Sequence, residues 1–211
     1  MKFKLILVTV LAFGCMAHAQ GILSNLSVDA GLQGIFPAST FDKSAAEFSA
    51  TSATTQATTN SVGAVFGARY DFGRHSAFDA AVTINRNSEL FENANQFLAR
   101  VQTNNTEFIG TYIFRLPSNA HIKPFSLVGG GMVHFSPNND YSPQNSIPSS
   151  ETKPAFAYGF GSDFPVSDHF SIRVQYRGLI RGEPDFKLSG VFGTGLKTHV
   201  AEPSIQVVYH F

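Results

Sequence analysis

Apolar side chains recur at every second position through most of the chain after residue 25. In the first such stretch, Asn25 to Phe36, one face carries Leu26, Val28, Ala30, Leu32, Gly34 and Phe36. The other face carries Ser27, Asp29, Gly31 and Gln33. A period of two places alternate side chains on opposite sides of a β-strand, so this pattern predicts a strand with one apolar face. The second stretch, Val62 to Phe72, opposes Val62, Ala64, Phe66, Ala68, Tyr70 and Phe72 to Gly63, Val65, Gly67, Arg69 and Asp71. The third sets Phe78, Ala80, Val82 and Ile84 against Asp79, Ala81, Thr83 and Asn85, and the fourth, ending at Leu116, sets Phe108, Gly110, Tyr112 and Phe114 against Glu107, Ile109, Thr111, Ile113 and Arg115. In the fifth, Lys123 to Phe135, the outward apolar face is expected to hold Phe125, Leu127, Gly129, Gly131, Val133 and Phe135. The sixth opposes Phe156, Tyr158, Phe160 and Phe164 to Ala157, Gly159, Gly161 and Asp163, and the seventh opposes Phe170, Ile172, Val174 and Tyr176 to Ser171, Arg173, Gln175 and Arg177. The eighth, Pro203 to Phe211, sets Ile205, Val207, Tyr209 and Phe211 against Ser204, Gln206, Val208 and His210.

The connections alternate in length. Gly73–Ser76, Pro117–Ala120 and Pro165–Asp168 are short turns. The four longer polar segments run from Pro37 to Asn60, Asn87 to Arg100, Ser136 to Lys153 and Arg181 to Lys197. The Ser49–Asn60 run is almost entirely Ser, Thr, Ala and Asn, which buries little and reads as an exposed loop; Leu90 to Leu98 is expected to form at most a short helix. Eight strands with alternating short and long links predict an all-β, antiparallel up-and-down barrel with all long loops at one end.

Composition decides what surrounds that barrel. Only 14% of residues are charged, Phe numbers 21 and Trp is absent. Basic and acidic residues are equal at 15 each, which gives no footprint for nucleic acid. The non-apolar face is rich in Gly and Ala with isolated charges of both signs, whereas the surface of a soluble barrel of lipocalin type carries many Lys and Glu. The apolar face is therefore expected to meet lipid. Aromatic residues gather toward its ends: Phe72, Phe78, Phe114, Phe125, Phe164, Phe170, Tyr209 and Phe211 near the turns, and Phe36, Phe135, Phe156 and Tyr176 toward the loops. Two such girdles are expected at the two bilayer interfaces. No later stretch has the roughly 20 consecutive apolar residues of a spanning helix, and closed barrels are the other way to satisfy every backbone group in lipid.

Residues 1–19 have the plan of a secretory signal peptide: Lys2 and Lys4, an apolar core from Leu5 to Phe13, and a small-x-small site at Ala17-His-Ala19. Cleavage there is expected to leave a barrel domain, residues 20–211, of net charge −2 and without cysteine. The alternative is lipidation at Cys15, but such signals usually carry Leu where this chain has Ala12.

The alternation, the terminal Tyr209-His-Phe211, the Lys123-Pro-Phe125 strand start with Gly129-Gly-Gly131, and Arg173-Val-Gln-Tyr-Arg177 together resemble the small eight-stranded outer-membrane β-barrels of the OmpA-like and OmpX-like kind. The resemblance spans the whole chain after the signal. It implies a bacterial outer-membrane location reached through the periplasm, periplasmic turns, extracellular loops, and a wall solvated by outer-membrane lipids and lipopolysaccharide. It also implies that the last strand, with Tyr209 and Phe211, serves as the insertion signal read by the barrel-assembly machinery. No peptidoglycan-binding domain of the full-length OmpA type follows the eighth strand, so anchoring through such a domain is not expected.

Candidate chemistry lies on the inward face. Asp29, Arg69, Asp71, Asp79, Glu107, Arg115, Asp163, Arg173, Arg177 and Glu202 all fall in the inward phase. A barrel of this size is filled by its own side chains, and buried charges are costly unless paired. These ten are therefore expected to form interior ion pairs, either as a structural filling or as partners that exchange in a narrow gated pore. His169-Phe-Ser171 has the His-x-Ser spacing of lipid A deacylase barrels, but it sits beside a turn rather than a loop, so no enzymatic activity is expected. His75, His121 and His169 are too dispersed for a metal site, and Gly129–Gly131 opens no helix that would cradle a phosphate. No catalytic residue, cofactor or metal is expected. The expected role is structural or adhesion-like through the long loops, which name no ligand, with a small-solute channel of porin-like kind as the alternative and a lipid-modifying enzyme behind it.

Overall fold

The computed structural model describes residues 24–38, 40–41, 54–93, 96–117, 121–138, 149–184, 186 and 197–211. The expected signal segment lies outside them. The described strands are β1 (Leu26–Pro37), β2 (Thr40–Phe41), β3 (Thr54–Thr58), β4 (Ser61–Asp71), β5 (Ser76–Asn93), β6 (Gln96–Arg115), β7 (Lys123–Pro137), β8 (Glu151–Pro165), β9 (Phe170–Gly182) and β10 (Lys197–His210). Among the described residues there is no helix.

β1 and β4 to β10 form a closed antiparallel barrel of eight strands. Each pairs with its chain neighbour, and β10 closes the ring on β1 in a register running from Ser27 opposite His210 to Pro37 opposite Val200. The terminal strand is thus paired on both edges, to β1 and to β9, and its unpaired donors and acceptors are removed. Two of the turns are tight: Phe72 N–H donates to the Ser76 carbonyl across β4–β5 at 3.2 Å, and Val166 N–H to the Phe170 carbonyl across β8–β9 at 2.9 Å. Of the turn expected at Pro117–Ala120, residues 118–120 lie outside the described residues.

The molecule is inside-out. Leu32 is 60% exposed and Phe160 65% exposed, while the inward Arg69 is wholly buried. Phe72, Phe78, Phe114, Phe164, Phe170 and Phe211 are exposed near the turns, and Phe36 and Phe156 toward the loops, as the girdle expectation requires.

The fifth barrel strand, β7, departs from the expectation. Phe125 and Phe135 are 2% and 0% exposed, and Leu127 and Val133 are buried with them, whereas Val128 and Met132 are about half exposed. The face assigned outward is the inward face, and Phe125 and Phe135 leave the girdles. Both phases of this strand are apolar enough for either to meet lipid, so alternation alone carried no polarity. Packing supplies it. Phe125 and Leu127 join Ala77 and Ile113 in an apolar cluster toward the turn end of the lumen, and Val133 and Phe135 join Ile35, Val101, Ile109, Leu179 and Val200 in one toward the loop end. Gly129 and Gly131 share that inward face. A Cβ there would lie 2.1 Å and 1.9 Å from the backbone carbonyl oxygens of Gly110 and Phe108 on β6, so glycine lets the two strands approach.

The long loops also turn out to be partly strand. β5 runs on to Asn93 and β6 begins at Gln96; the two pair as a continuous hairpin with one register shift at Phe91/Glu92. Within the stretch from Leu90 to Leu98, residues 90–93 and 96–98 are therefore strand, not helix, and 94–95 lie outside the described residues. Thr54–Thr58, within the run read as exposed loop, pairs with Asn93 to Glu89 of β5, and β2 pairs in turn with β3. Beyond the lipid both faces of a strand can be polar, so these Ser-, Thr- and Asn-rich segments pair without an apolar alternation.

Candidate functional site

β9 organises the lumen. Its residues Arg173, Arg177 and Arg181 are four apart, so all three point inward, and each heads a layer of charge. All ten sequence-predicted charges lie on the inner side of the barrel wall, and they fall into three groups.

At the turn end, Arg115 Nη2 lies 2.5 Å from Asp71 Oδ1 in a half-buried rim pair. The next layer inward is a five-residue network. Arg173 Nε donates to Asp163 at 2.6 Å and its Nη1 to Asp29 at 2.9 Å, with Asp79 at 3.6 Å. Arg69 reaches Asp79 at 3.1 Å and Asp163 at 3.3 Å. Phe125 lies beneath both guanidinium groups, 4.5 Å from Arg69 and 5.7 Å from Arg173. The inward turn of β7 thus places an aromatic face where two cations need one.

The middle layer is built on Arg177. Its Nε lies 2.5 Å from Glu202, and its Nη2 lies 2.7 Å from Glu107 and 3.3 Å from the Thr83 hydroxyl. Asn85 donates to Glu107 at 3.3 Å, and Asn105 donates to Asn85 and Asn87 at 3.1 and 3.0 Å.

The loop-end layer was missed, because Arg181, Glu89 and Glu183 fall in segments read as loops. Arg181 lies 3.7 Å from Glu89 and stacks over Phe135 at 4.8 Å. Glu183, just beyond the end of β9, is pushed up to about 8 by burial and then by the nearby Glu89 carboxylate, with Arg181 opposing. The signal that would have found Arg181 is the four-residue spacing from Arg173 through Arg177, which continues the inward phase past the apolar stretch. Above this layer Phe186, from the β9–β10 connection, is buried edge-on against Phe135 with ring centres 6.5 Å apart. Its φ of 52° is in the left-handed region, which a Phe adopts only when its surroundings hold it there.

His169 and Ser171 do not pair with each other. Ser171 Oγ lies 3.0 Å from His210 Nε2, and His169 Nδ1 lies 3.1 Å from the His210 carbonyl. No cluster of metal-ligating side chains occurs among the described residues.

A closed barrel with a lipid-facing apolar wall, aromatic girdles and a charge-paired lumen defines an integral β-barrel of an outer membrane. The chain belongs to the outer membrane protein beta-barrel domain family, whose model matches residues 5–211. No curated protein matches the sequence. Solved structures with the same fold include the outer membrane protein OprG of Pseudomonas aeruginosa, at 13% identity and a TM-score of 0.57 over 90% of this chain and 97% of that one. The attachment invasion locus protein Ail of Yersinia pestis, crystallised with the heparin analogue sucrose octasulfate, matches at 17% identity and a TM-score of 0.52 over 88% and 97%. Neisserial surface protein A matches at 13% identity and a TM-score of 0.55 over 89% and 98%.

Proposed function

We propose that this outer-membrane barrel works as a surface-interaction protein, presenting a rigid ledge of β-sheet to the exterior. The observation that carries this reading is the length of β5 and β6, 18 and 20 residues against 11 for β4. About 10 residues per strand suffice to cross the bilayer. The surplus of β5 and β6, with β3 and β2 added on the β5 edge, extends beyond the barrel at the loop end. Binding residues held on ordered strands lose less entropy on contact than residues on free loops. The lumen beneath is filled by ion pairs and two apolar clusters, which favours a scaffold over a conduit. In this reading the wall is solvated by outer-membrane lipids and lipopolysaccharide, the ten lumen charges hold the barrel shut, and Tyr209 and Phe211 on β10 mark the chain for the assembly machinery. No enzymatic step is assigned.

Excising residues 40–58 tests the reading. Cells displaying the shortened protein are expected to lose adherence to protein- and glycan-coated surfaces while the purified barrel keeps its heat-modifiable migration on SDS gels. Undiminished adherence would reject it. A second reading, a narrow water-filled channel, draws on the middle of the lumen. Both amide termini of Gln33 and Glu202 Oε1 are buried there without a hydrogen-bond partner among the described residues, and such groups are ordinarily satisfied by water. Single-channel recording that finds steps altered by Glu107→Gln would favour the channel.

A further inference from the structure

The turn end of the lumen opens into a cavity of about 500 Å³, a volume within the roughly 300–1,000 Å³ range of small-molecule pockets. It lies at the opposite end of the barrel from the sheet ledge, on the side that faces the periplasm in barrels of this layout. Arg74 and His75 from the β4–β5 turn, Arg115 from β6 and Lys123 from β7 line its wall, with Ser171 and His210 across from them. Its two carboxylates are already engaged. Asp71 is bound to Arg115, and both oxygens of Asp163 are taken by Arg69 and Arg173. Arg74 and Lys123 have no ion-pair partner among the described residues, and both are exposed. The cavity therefore presents two uncompensated cations, with the Arg115 guanidinium beside them.

We propose that this periplasmic mouth is a binding site for a small anion bearing carboxylate or phosphate groups. A guanidinium fork matches either group in two-point contact, and lysine adds a movable point charge. Ser171 and His210, held to each other at 3.0 Å, add polar atoms on the far wall. Asp163 lines the cavity and ties it to the Arg69 and Arg173 network, with Phe125 packed against both guanidinium groups. That network carries three carboxylates, Asp29, Asp79 and Asp163, against two guanidinium groups, so a second negative charge moving deeper meets net repulsion. The mouth attracts an anion and the layer behind it stops the anion there.

The test is a titration of the full barrel, purified in a detergent without phosphate, with inorganic phosphate and with citrate at constant ionic strength set by chloride. Amide NMR shifts of His75, Lys123 and Ser171 report on the mouth. The expected result is a saturable response to phosphate or citrate, weakened at least about tenfold in an Arg74→Gln, Lys123→Gln double variant. Both residues are exposed, so the variant keeps the heat-modifiable fold. A response that chloride reproduces, or that survives unchanged in the double variant, overturns the proposal. So does a response seen only with short-chain phosphatidylglycerol and not with free anions, which would place the phosphate on a lipid headgroup.

Discussion

The two ends of the lumen solve the same problem differently. Toward the turns, Arg69 and Arg173 share three aspartates at distances from 2.6 to 3.6 Å, and both rest on Phe125. Toward the loops, Arg181 meets Glu89 at 3.7 Å, its Nε has no hydrogen-bond partner among the described residues, and Glu183 adds a second carboxylate to the same space. Short aspartate side chains fix the first group, and Phe186 covers the second. The difference teaches that the Arg69–Arg173 layer is held by more and shorter ion pairs than the Arg181 layer. The turn-end layer forms a clamp and the loop-end layer, under Phe186, a plug.

Breaking the clamp is expected to have the largest effect. Arg173→Ala leaves Asp29 and Asp163 buried beside one remaining guanidinium, at a cost of about 3–5 kcal/mol, read as a fall in the urea midpoint of the barrel refolded in detergent micelles. Phe125→Ala removes a buried ring and the aromatic support of both arginines, and is expected to destabilise by about 3 kcal/mol or more. An unchanged midpoint would return Phe125 to the lipid face. Arg181→Ala in the plug is expected to cost only about 1–2 kcal/mol, because Arg181 meets Glu89 at 3.7 Å and Glu89 keeps the hydrogen bond it accepts from Thr58 at 2.6 Å. A cost equal to that of Arg173→Ala would erase the contrast.

The smallest expected effect sharpens the comparison through pH. Burial and the Glu89 carboxylate push the Glu183 carboxyl up to about 8 from its ordinary 4.5, which favours the extra proton in the folded state between those limits. Stability from this group is full below the lower limit and declines as pH rises toward the upper one. The amide protection factors of Gly182 and Phe186, corrected for intrinsic exchange, are expected to fall between pH 5 and 8.5, and Glu183→Gln to flatten that dependence, while the protection factor of Ser171, at the clamp end, stays constant.

Most of the barrel was legible because lipid enforces contrast. β1, β4, β8 and β10 each show an apolar phase against a polar one, and each observed face agrees. β7 was misread because its inward side chains, Phe125, Leu127, Val133 and Phe135, are as apolar as a lipid face demands, and only the cations that reach them across the lumen from β4 and β9 reveal where they belong. The upper halves of β5 and β6 were misread for the opposite reason. Outside the bilayer, Asn85, Asn87, Thr103 and Asn105 line the inside while Arg86 and Asn104 are exposed outside, and an alternation between two polar sets is invisible to a hydropathy pattern. Of the lumen charges, the ten in lipid-flanked strands were found by phase alone; Arg181, Glu89 and Glu183 required the strands to be followed past the lipid.

The bridge from Arg173 to Asp29 joins side chains 144 residues apart, across the seam where the last strand meets the first. Any segment that contains both partners must run from β1 into β9, so the bridge is made only late, as the ring shuts. Contacts absent from the folding transition state slow escape without speeding arrival. The bridge is therefore a latch in time as well as in space: its loss is expected to shorten the lifetime of the inserted barrel far more than it delays insertion.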